Sequence, residues 1–396
     1  MKKSRFATVM VLTGLFMFSS NFIHPVTPTL FLQLQFPEYL FGVAAAVLSI
    51  ANFLFSPLWG VLCDRIGCIR VLAIGILGYG AGQAVFSVST SVALTIAARF
   101  FTGAFAGAAL IAPLMIVATC TEEGKRDRYL AYFAAYNAVS GSLGYFVGGF
   151  LGARSIPLAF FWQILLSAAI GIACLLLPDD AKPVSRERFS LSACRPTVTF
   201  SGFRKICSPS LIVFFLSVAC VFFSSSCFDG SFNYYLREQL GFPATYNGTI
   251  KAAVGLVGLL SNFTINVYIA SKTDIRKSMV AVLSAGSILL ALLPLLQRVE
   301  LFLSAGIAIS AISTISLPIQ QSLLARSAGT SGAAFGAFNA VQAAGSILGS
   351  LFAGFIYTVG PELPFVSAAA ALCAAAVLCI LNRRQHQTIH TEGEQP

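Results

Sequence analysis

The sequence predicts an all-α integral membrane protein with twelve transmembrane helices in two pseudo-symmetric six-helix bundles. Of the 396 residues, 57% are apolar and only 10% are charged, whereas about a quarter are charged in soluble domains. Apolar runs of about 20 residues, the length with which a helix crosses a bilayer, recur along the chain. One polar linker divides these runs into two sets of six. The composition excludes most soluble enzymes, DNA-binding proteins and disulfide-rich secreted domains.

Short polar breaks separate the twelve predicted spans. The basic N-terminus is interpreted as the flank of an uncleaved first span, because the apolar run that follows is too long for a signal peptide. Before the linker, the predicted spans are Phe6–Leu32, Tyr39–Leu62, Ile69–Val88, Val92–Cys120, Tyr129–Gly152 and Pro157–Leu177. After the linker, they are Leu211–Leu236, Ala244–Ala270, Ser278–Leu296, Leu301–Leu324, Ala333–Val359 and Pro364–Leu381.

The one substantial linker is a polar, basic segment with prolines at residues 179–208. We predict an N-terminal six-helix bundle over residues 1–178, a C-terminal six-helix bundle over residues 209–382 and a cytoplasmic tail over residues 383–396. Two halves of six spans are the arrangement of transporters that are built from matching repeats.

The basic residues lie almost entirely on one side of the predicted membrane. Twenty of the 25 Lys and Arg residues are on the side of the linker and both termini, against Arg154, Arg237 and Arg298 on the other side. Lys and Arg are retained in cytoplasmic loops, so we predict a multi-pass protein of the plasma membrane with both termini in the cytoplasm. The net charge of +10 therefore reflects topology, and we expect no nucleic-acid partner.

Motifs for catalysis and metal binding are missing from the sequence. The chain has no GxxxxGKS/T, HExxH or GxSxG pattern, and its ten cysteines form no CxxC pair. Such patterns supply the phosphate-binding loops, nucleophiles and metal ligands of common enzymes. We therefore expect no enzymatic activity, no catalytic residue, no cofactor and no metal.

The predicted loop between spans 2 and 3 carries a glycine, an Asp-Arg pair, a second glycine and a further arginine. These residues resemble the signature loop of the major facilitator superfamily, although a cysteine here replaces one expected basic residue. The resemblance implies that the loop latches a cytoplasmic gate against the start of span 11, near Ser331 and Gly332. The residues assigned to the gate are Gly60, Asp64, Arg65, Gly67 and Arg70.

Three weaker matches resemble the twelve-span drug:proton antiporter branch of this superfamily. Span 1 contains Pro-Val-x-Pro at residues 25–28, span 4 contains Arg99-Phe-Phe-Thr-Gly103, and span 5 contains a glycine motif at residues 144–149 without the family's proline. The resemblance implies the fold of two six-helix bundles and proton-coupled efflux by alternating access. The missing proline leaves transport without strict antiport open.

Few charged residues remain inside the predicted spans. Arg99, Asp229 and Lys251 lie in spans 4, 7 and 8, and the rise of an α-helix places each of them about 10 Å below the outer end of its span. His24 in span 1 falls in nearly the same layer. Charges at this depth are costly unless they serve a partner or a cavity. We predict that these four residues couple transport to protons, with Asp229 as proton acceptor and Lys251 as its partner in at least one state.

Polar and aromatic residues within the spans are candidates for substrate binding. Amides would donate and accept hydrogen bonds, and phenylalanine would provide an apolar surface. Contact between helices, or between phenylalanine and lipid, is the alternative role. For the coupling residues the alternatives are a structural ion pair, a lysine that extends to the surface and a packing histidine. The candidate substrate-binding residues are Asn21, His24, Asn137, Phe232, Asn339 and Gln342.

Together, the spans, the buried charges and the family resemblance predict a secondary active transporter for a small hydrophobic or cationic molecule. Proton-coupled efflux by alternating access is the preferred mode. The alternatives are a metabolite or lipid-like carrier without strict proton antiport, and a transport-inactive receptor or scaffold. The expected partners are the substrate, protons and the lipid bilayer, and we expect a monomer.

Overall fold

The computed structural model describes residues 3–120, 126–178, 209–328 and 332–392, and within these ranges every regular element is a helix. This confirms the predicted all-α class. The N-terminal helices are α1 (Lys3–Ser20), α2 (Thr27–Gln33), α3 (Leu40–Ile66), α4 (Cys68–Ser87), α5 (Val92–Cys120), α6 (Arg126–Arg154) and α7 (Ile156–Leu176). The C-terminal helices are α8 (Pro209–Glu238), α9 (Ala244–Phe263), α10 (Ile265–Lys272), α11 (Ile275–Leu292), α12 (Val299–Ala328), α13 (Gly332–Tyr357) and α14 (Leu363–Glu392).

Each of the twelve predicted spans contains a helix or a pair of helices. In the described part of the chain, nine helices are long and apolar enough to cross a membrane on their own. They are α3, α4, α5, α7, α8, α11, α12, α13 and α14. The three other spans consist of α1 with α2, of α6, and of α9 with α10, which are interrupted or less apolar. The predicted linker at residues 179–208 lies outside the described residues.

The first span differs from the continuous helix that the sequence analysis predicted. Helix α1 ends at Ser20 and α2 begins at Thr27. Two prolines explain the interruption, because Pro25 has no N–H to donate to a helical ladder and Pro28 favours the first turn of a new helix. The intervening residues form turns instead, with Val26 N–H donating to Ile23 C=O at 3.0 Å. Non-helical backbone is therefore present inside the span.

The eighth span also differs from the prediction, and the helix of the twelfth extends beyond the predicted span. The eighth is interrupted at Thr264, whose hydroxyl donates to the Leu260 carbonyl at 2.7 Å. Threonine bonds of this kind compete with the helix ladder and bend helices. In the twelfth span, α14 continues to Glu392 and so includes most of the residues assigned to the tail.

The chain forms two compact units. Unit 1 contains residues 1–196 and 233–255, and unit 2 contains residues 197–232 and 256–396. The core of unit 1 is an apolar cluster between α1, α3, α4, α5 and α7, in which the indole N–H of Trp59 donates to the Ala104 carbonyl at 2.6 Å. In unit 2, Ser224 on α8 donates to the Ala368 carbonyl on α14 at 2.8 Å. These bonds satisfy polar groups at helix crossings.

Glycines permit close helix approach at equivalent positions of the two halves. In unit 1, a Cβ at Gly144 of α6 would overlap the backbone of α1 at Phe18, and a Cβ at Gly148 would overlap the backbone of Phe22, two residues beyond the end of α1. In unit 2, a Cβ at Gly349 of α13 would overlap the α8 backbone in the same way. The glycines of spans 5 and 11 thus form helix-packing surfaces.

Candidate functional site

The interruption in span 1 places His24 between two helices of unit 1. The half-buried imidazole ring stacks on the ring of Tyr145 of α6, with centroids 5.5 Å apart and planes inclined by 14°. On α9, the ammonium nitrogen of Lys251 lies 5.9 Å from the centroid of the same tyrosine ring. Tyr145 therefore lies against two residues that the sequence analysis assigned to proton coupling.

The position of Lys251 depends on a close crossing of α6 and α9. A Cβ at Gly149 would lie 2.7 Å from the Ala244 carbonyl oxygen, and a Cβ at Gly248 would lie 2.7 Å from the Tyr145 carbonyl oxygen. The two backbones are thus in direct contact. Lys251 is one helical turn beyond Gly248 and lies on the same face, which brings its side chain to Tyr145.

Arg99 is buried deeply in unit 1, with 5% of its surface exposed. Its guanidinium carbon lies 4.0 Å from the centroid of the Phe86 ring, a cation–π arrangement. One terminal nitrogen, Nη2, donates to the Thr27 hydroxyl of α2 at 3.2 Å, while the buried Nε has no hydrogen-bond partner. The two contacts hold Arg99 against α4 and the start of α2.

His24 lies within electrostatic range of both Arg99 and Lys251. The charges of Arg99 and Lys251 both act on the His24 ring. The described groups that act on Arg99 are the phenols of Tyr79 and Tyr145, which are neutral at neutral pH. The structure therefore brings together three of the four residues predicted to couple transport to protons.

A buried polar network lies beside this cluster and was missed by the sequence analysis. The Tyr79 hydroxyl and the Gln163 amide each donate to the Ser20 carbonyl at 3.0 Å, and the Gln163 amide also lies 3.3 Å from the Tyr79 oxygen. Ser20 is the last residue of α1, so both side chains satisfy a carbonyl that the interrupted helix leaves free. The signal in the sequence was a single glutamine in the otherwise apolar sixth span.

Asp229, the fourth coupling candidate, belongs to unit 2 and is partly buried there. Its pairing with Lys251 stays a prediction. Nearby in unit 2, a narrow cleft is lined by serines of α8 and α12 and by apolar side chains, and no charged residue lines it.

The candidate substrate-binding residues are dispersed. The Asn21 amide donates to the Met17 carbonyl of its own helix end at 2.7 Å. Asn137 is partly buried and its Oδ1 has no partner. Phe232 is buried and stacks on Phe302 of unit 2 at 5.5 Å. Of the two remaining amides, Asn339 is exposed and Gln342 is partly buried. Asn21 and His24 both lie in the interruption between α1 and α2.

The loop assigned to the gate joins α3 to α4 at Gly67. This residue has a φ of 95°, and its N–H donates to the Cys63 carbonyl at 3.1 Å. A positive φ of this size favours glycine, as at many helix ends. Asp64 and Arg70 are exposed on either side of the turn, while Gly60 and Arg65 are partly buried. Ser331, at the predicted partner region, lies outside the described residues.

Comparison with known proteins shows similarity over the whole chain. The family model described as Major Facilitator Superfamily matches residues 9–350, with a second match at 214–396. Multidrug resistance protein 1 of Bacillus subtilis (strain 168) is 24% identical over 96% of this chain and 97% of its own length. Quinolone resistance protein NorA of Staphylococcus aureus (strain MRSA252) is 21% identical, with 92% of each chain covered.

Solved structures of transporters share the fold. The human organic anion transporter MFSD10 superposes with a TM-score of 0.64 at 19% identity, covering 96% of this chain and 100% of that chain. The nucleoside transporter NupG superposes with a TM-score of 0.73 at 15% identity, covering 96% of this chain and 99% of that chain. At these identities the likeness concerns the fold alone.

Proposed function

The chain belongs to the major facilitator superfamily, and on this basis we propose that it exports small hydrophobic molecules in exchange for protons. Family membership makes it a membrane transporter of small molecules rather than an enzyme. Relatives named for multidrug and quinolone resistance support a drug-like substrate and outward transport.

The observation that carries the proposal is the burial of Arg99 beside His24. A guanidinium inside a membrane span costs several kcal/mol unless it has a functional partner. Here it is held by Thr27 and Phe86 and acts electrostatically on His24. Imidazole is a common proton donor and acceptor in proteins, and we propose that His24 exchanges a proton at this layer when access changes sides.

In the proposed cycle, Asp229 accepts the proton when its side of the cavity is open. Protonation removes the negative charge that, by the predicted pairing, neutralises Lys251, and we propose that the two halves then rearrange. The smooth glycine faces between α1 and α6 and between α8 and α13 permit helices to slide without side-chain obstruction. Return of the proton to the other side restores the starting charge state and completes the exchange.

A second candidate function is favoured by the missing proline of the span 5 motif. Tyr145 occupies that position and lies against His24 and Lys251. A carrier of metabolites or lipid-like molecules without strict antiport would need no drug-antiporter motif there. A transport-inactive receptor is disfavoured, because such a protein gains nothing from a buried Arg99 that would offset its desolvation.

We place the protein in the plasma membrane as a monomer with both termini in the cytoplasm. The support for this orientation is the asymmetry of Lys and Arg between the two sides of the spans. Cysteine accessibility to a membrane-impermeant reagent in intact cells would test it at exposed outer positions such as Ser91 and Thr358.

The test of transport is flux in proteoliposomes with an imposed pH gradient. A panel of hydrophobic dyes and drugs is compared for the native chain, Asp229→Asn and the control Glu300→Gln, which removes an exposed carboxylate. We expect gradient-driven flux that Asp229→Asn abolishes and the control retains. Absence of gradient-driven flux for every compound would reject antiport, and native-like flux in Asp229→Asn would reject its assignment as proton acceptor.

A further inference from the structure

Positive charge exceeds negative charge within the membrane spans. In the sequence, two basic residues, Arg99 and Lys251, lie well inside predicted spans, whereas Asp229 is the one acidic residue there. Even if Asp229 neutralises Lys251, one full positive charge is left, and protonation of Asp229 or His24 increases it. An excess of charge in a region of low dielectric is unfavourable unless a counter-ion enters.

The geometry of Arg99 indicates where a counter-ion would bind. A guanidinium has five N–H donors in a rigid planar fork. In the described part of the chain, one hydrogen bond is made, from Nη2 to Thr27, while the buried Nε donates to no acceptor. Unused donors on a buried arginine match the two oxygens of a carboxylate, which arginine binds with two parallel hydrogen bonds.

The surroundings of Arg99 are aromatic as well as basic. The Phe86 ring lies under the guanidinium at 4.0 Å, and the stacked rings of His24 and Tyr145 lie within electrostatic range. Flat rings of this kind form favourable contacts with the faces and edges of an aromatic ligand.

We propose that Arg99, with His24, Tyr145 and Lys251, forms a binding site for an aromatic carboxylate, so that the transported molecules include hydrophobic organic anions. This inference rests on the proposed transport function and specifies its substrate class. The carboxylate pairs with Arg99 while the aromatic body lies against the rings of the site. A cationic ligand would meet the like charge of Arg99 at the same place, which is the reverse of the preference inferred from the sequence.

Equilibrium binding to the purified full-length chain tests the proposal without any gradient. The chain is placed in nanodiscs of zwitterionic phosphatidylcholine at neutral pH, and three probes of nearly equal shape are titrated by calorimetry. The probes are 2-naphthoate, neutral 2-naphthamide and cationic 2-naphthylmethylammonium. We expect 2-naphthoate to bind the native chain at least tenfold more tightly than the other two. Equal or tighter binding of the cation or the amide would overturn the proposal.

Variants locate the binding to Arg99. We expect Arg99→Gln to weaken 2-naphthoate binding at least tenfold and to leave 2-naphthamide binding within about twofold. The control Arg154→Gln removes an exposed arginine and should not alter either affinity. If Arg99→Gln does not fold, Arg99→Lys, which keeps the charge but not the fork, takes its place and should weaken 2-naphthoate binding severalfold. A folded Arg99 variant with native affinity would overturn the assignment.

Two further experiments distinguish lipid binding from ligand binding, and failure of the anion site from failure of proton-coupled export. Native-chain titrations are repeated with phosphatidylglycerol in the nanodiscs, because an anionic headgroup offers the same charge. Loss of 2-naphthoate binding there would assign the site to lipid and overturn a soluble aromatic ligand.

If 2-naphthoate binds but no gradient drives its flux, the site stands and proton-coupled export fails. If a gradient drives cationic dyes while 2-naphthoate does not bind, export stands and the anion site fails.

Discussion

The imidazole ring of His24 stacks on the phenol ring of Tyr145, with centroids 5.5 Å apart. His24 lies in the interruption between α1 and α2, and Tyr145 replaces the proline of the span 5 motif. The replacement thus introduces a ring that contacts a titratable group of the first span. Lys251 reaches the same ring from α9, so one tyrosine joins three spans of unit 1.

We predict that Tyr145→Ala lowers transport severalfold while Tyr145→Phe retains most of it. Stacked aromatic pairs contribute about 0.5–1.5 kcal/mol beyond their buried area, which corresponds to a change of about two- to tenfold. Flux in proteoliposomes measures the effect, with Tyr132→Ala on the exposed surface of α6 as the control. Equal flux in the alanine and native chains would show that the stack has no part in transport.

We predict that Gly248→Val destabilises the protein by about 1–3 kcal/mol, the usual cost of overpacking. A Cβ at this position would lie 2.7 Å from the Tyr145 carbonyl oxygen, and a branched side chain needs more room still. A lower Tm in detergent measures the loss. Thr249→Val, at the next and exposed position of α9, serves as the matched control, and a similar Tm in both variants would contradict the close crossing.

We predict that Gly67→Ala costs about 1–3 kcal/mol of stability, because a side chain is strained at a φ of 95°. Gly60→Ala in the preceding helix provides the comparison. A Cβ at Gly60 meets nothing within 4 Å, and alanine is the better helix former. The two variants should therefore shift the Tm in opposite directions, and an unchanged Tm for Gly67→Ala would argue against the observed turn.

We predict that Gln163→Leu destabilises unit 1 by about 0.5–1.5 kcal/mol, the net contribution of the buried hydrogen bond that it removes. The amide shares the Ser20 carbonyl with Tyr79, so the double variant Gln163→Leu with Tyr79→Phe should be worse than either single variant. Urea or thermal unfolding in detergent gives the three values. Additive small effects below about 0.5 kcal/mol would mean that the interrupted helix end needs neither side chain.

We predict that Asp64→Asn slows turnover but leaves substrate affinity within about twofold. Asp64 is exposed at the end of α3, next to the turn at Gly67, whereas Arg99 is on α5 and His24 lies between α1 and α2. A gate residue alters the rate of conformational exchange, whereas a binding residue alters affinity. Parallel flux and calorimetric titrations measure the two quantities, and weakened binding would contradict the gate assignment.

The sequence predicted the spans and the charged layer but not the breaks in the helices or the residues that join the layer together. Pro25 and Pro28 belong to a recognisable motif of the first span, but the motif does not show that the helix ends at Ser20 and begins again at Thr27. Tyr145 was noticed only as a departure from the family motif. The role of Gln163 could not be predicted from the sequence. A polar residue in a span can face another helix, a cavity or the end of a broken helix, and hydropathy does not distinguish these cases.

The sequence by itself determined that the chain is a membrane protein of twelve spans and which side of each span is basic. The length of an apolar run and the number of Lys and Arg residues beside it are properties of single segments. Both can therefore be determined from the sequence without knowing how the helices pack. Only the tertiary structure decided that His24, Tyr145 and Lys251 meet. Their meeting depends on the rotation of each helix about its axis and on the glycine contact between α6 and α9, which arise from packing between segments distant in sequence.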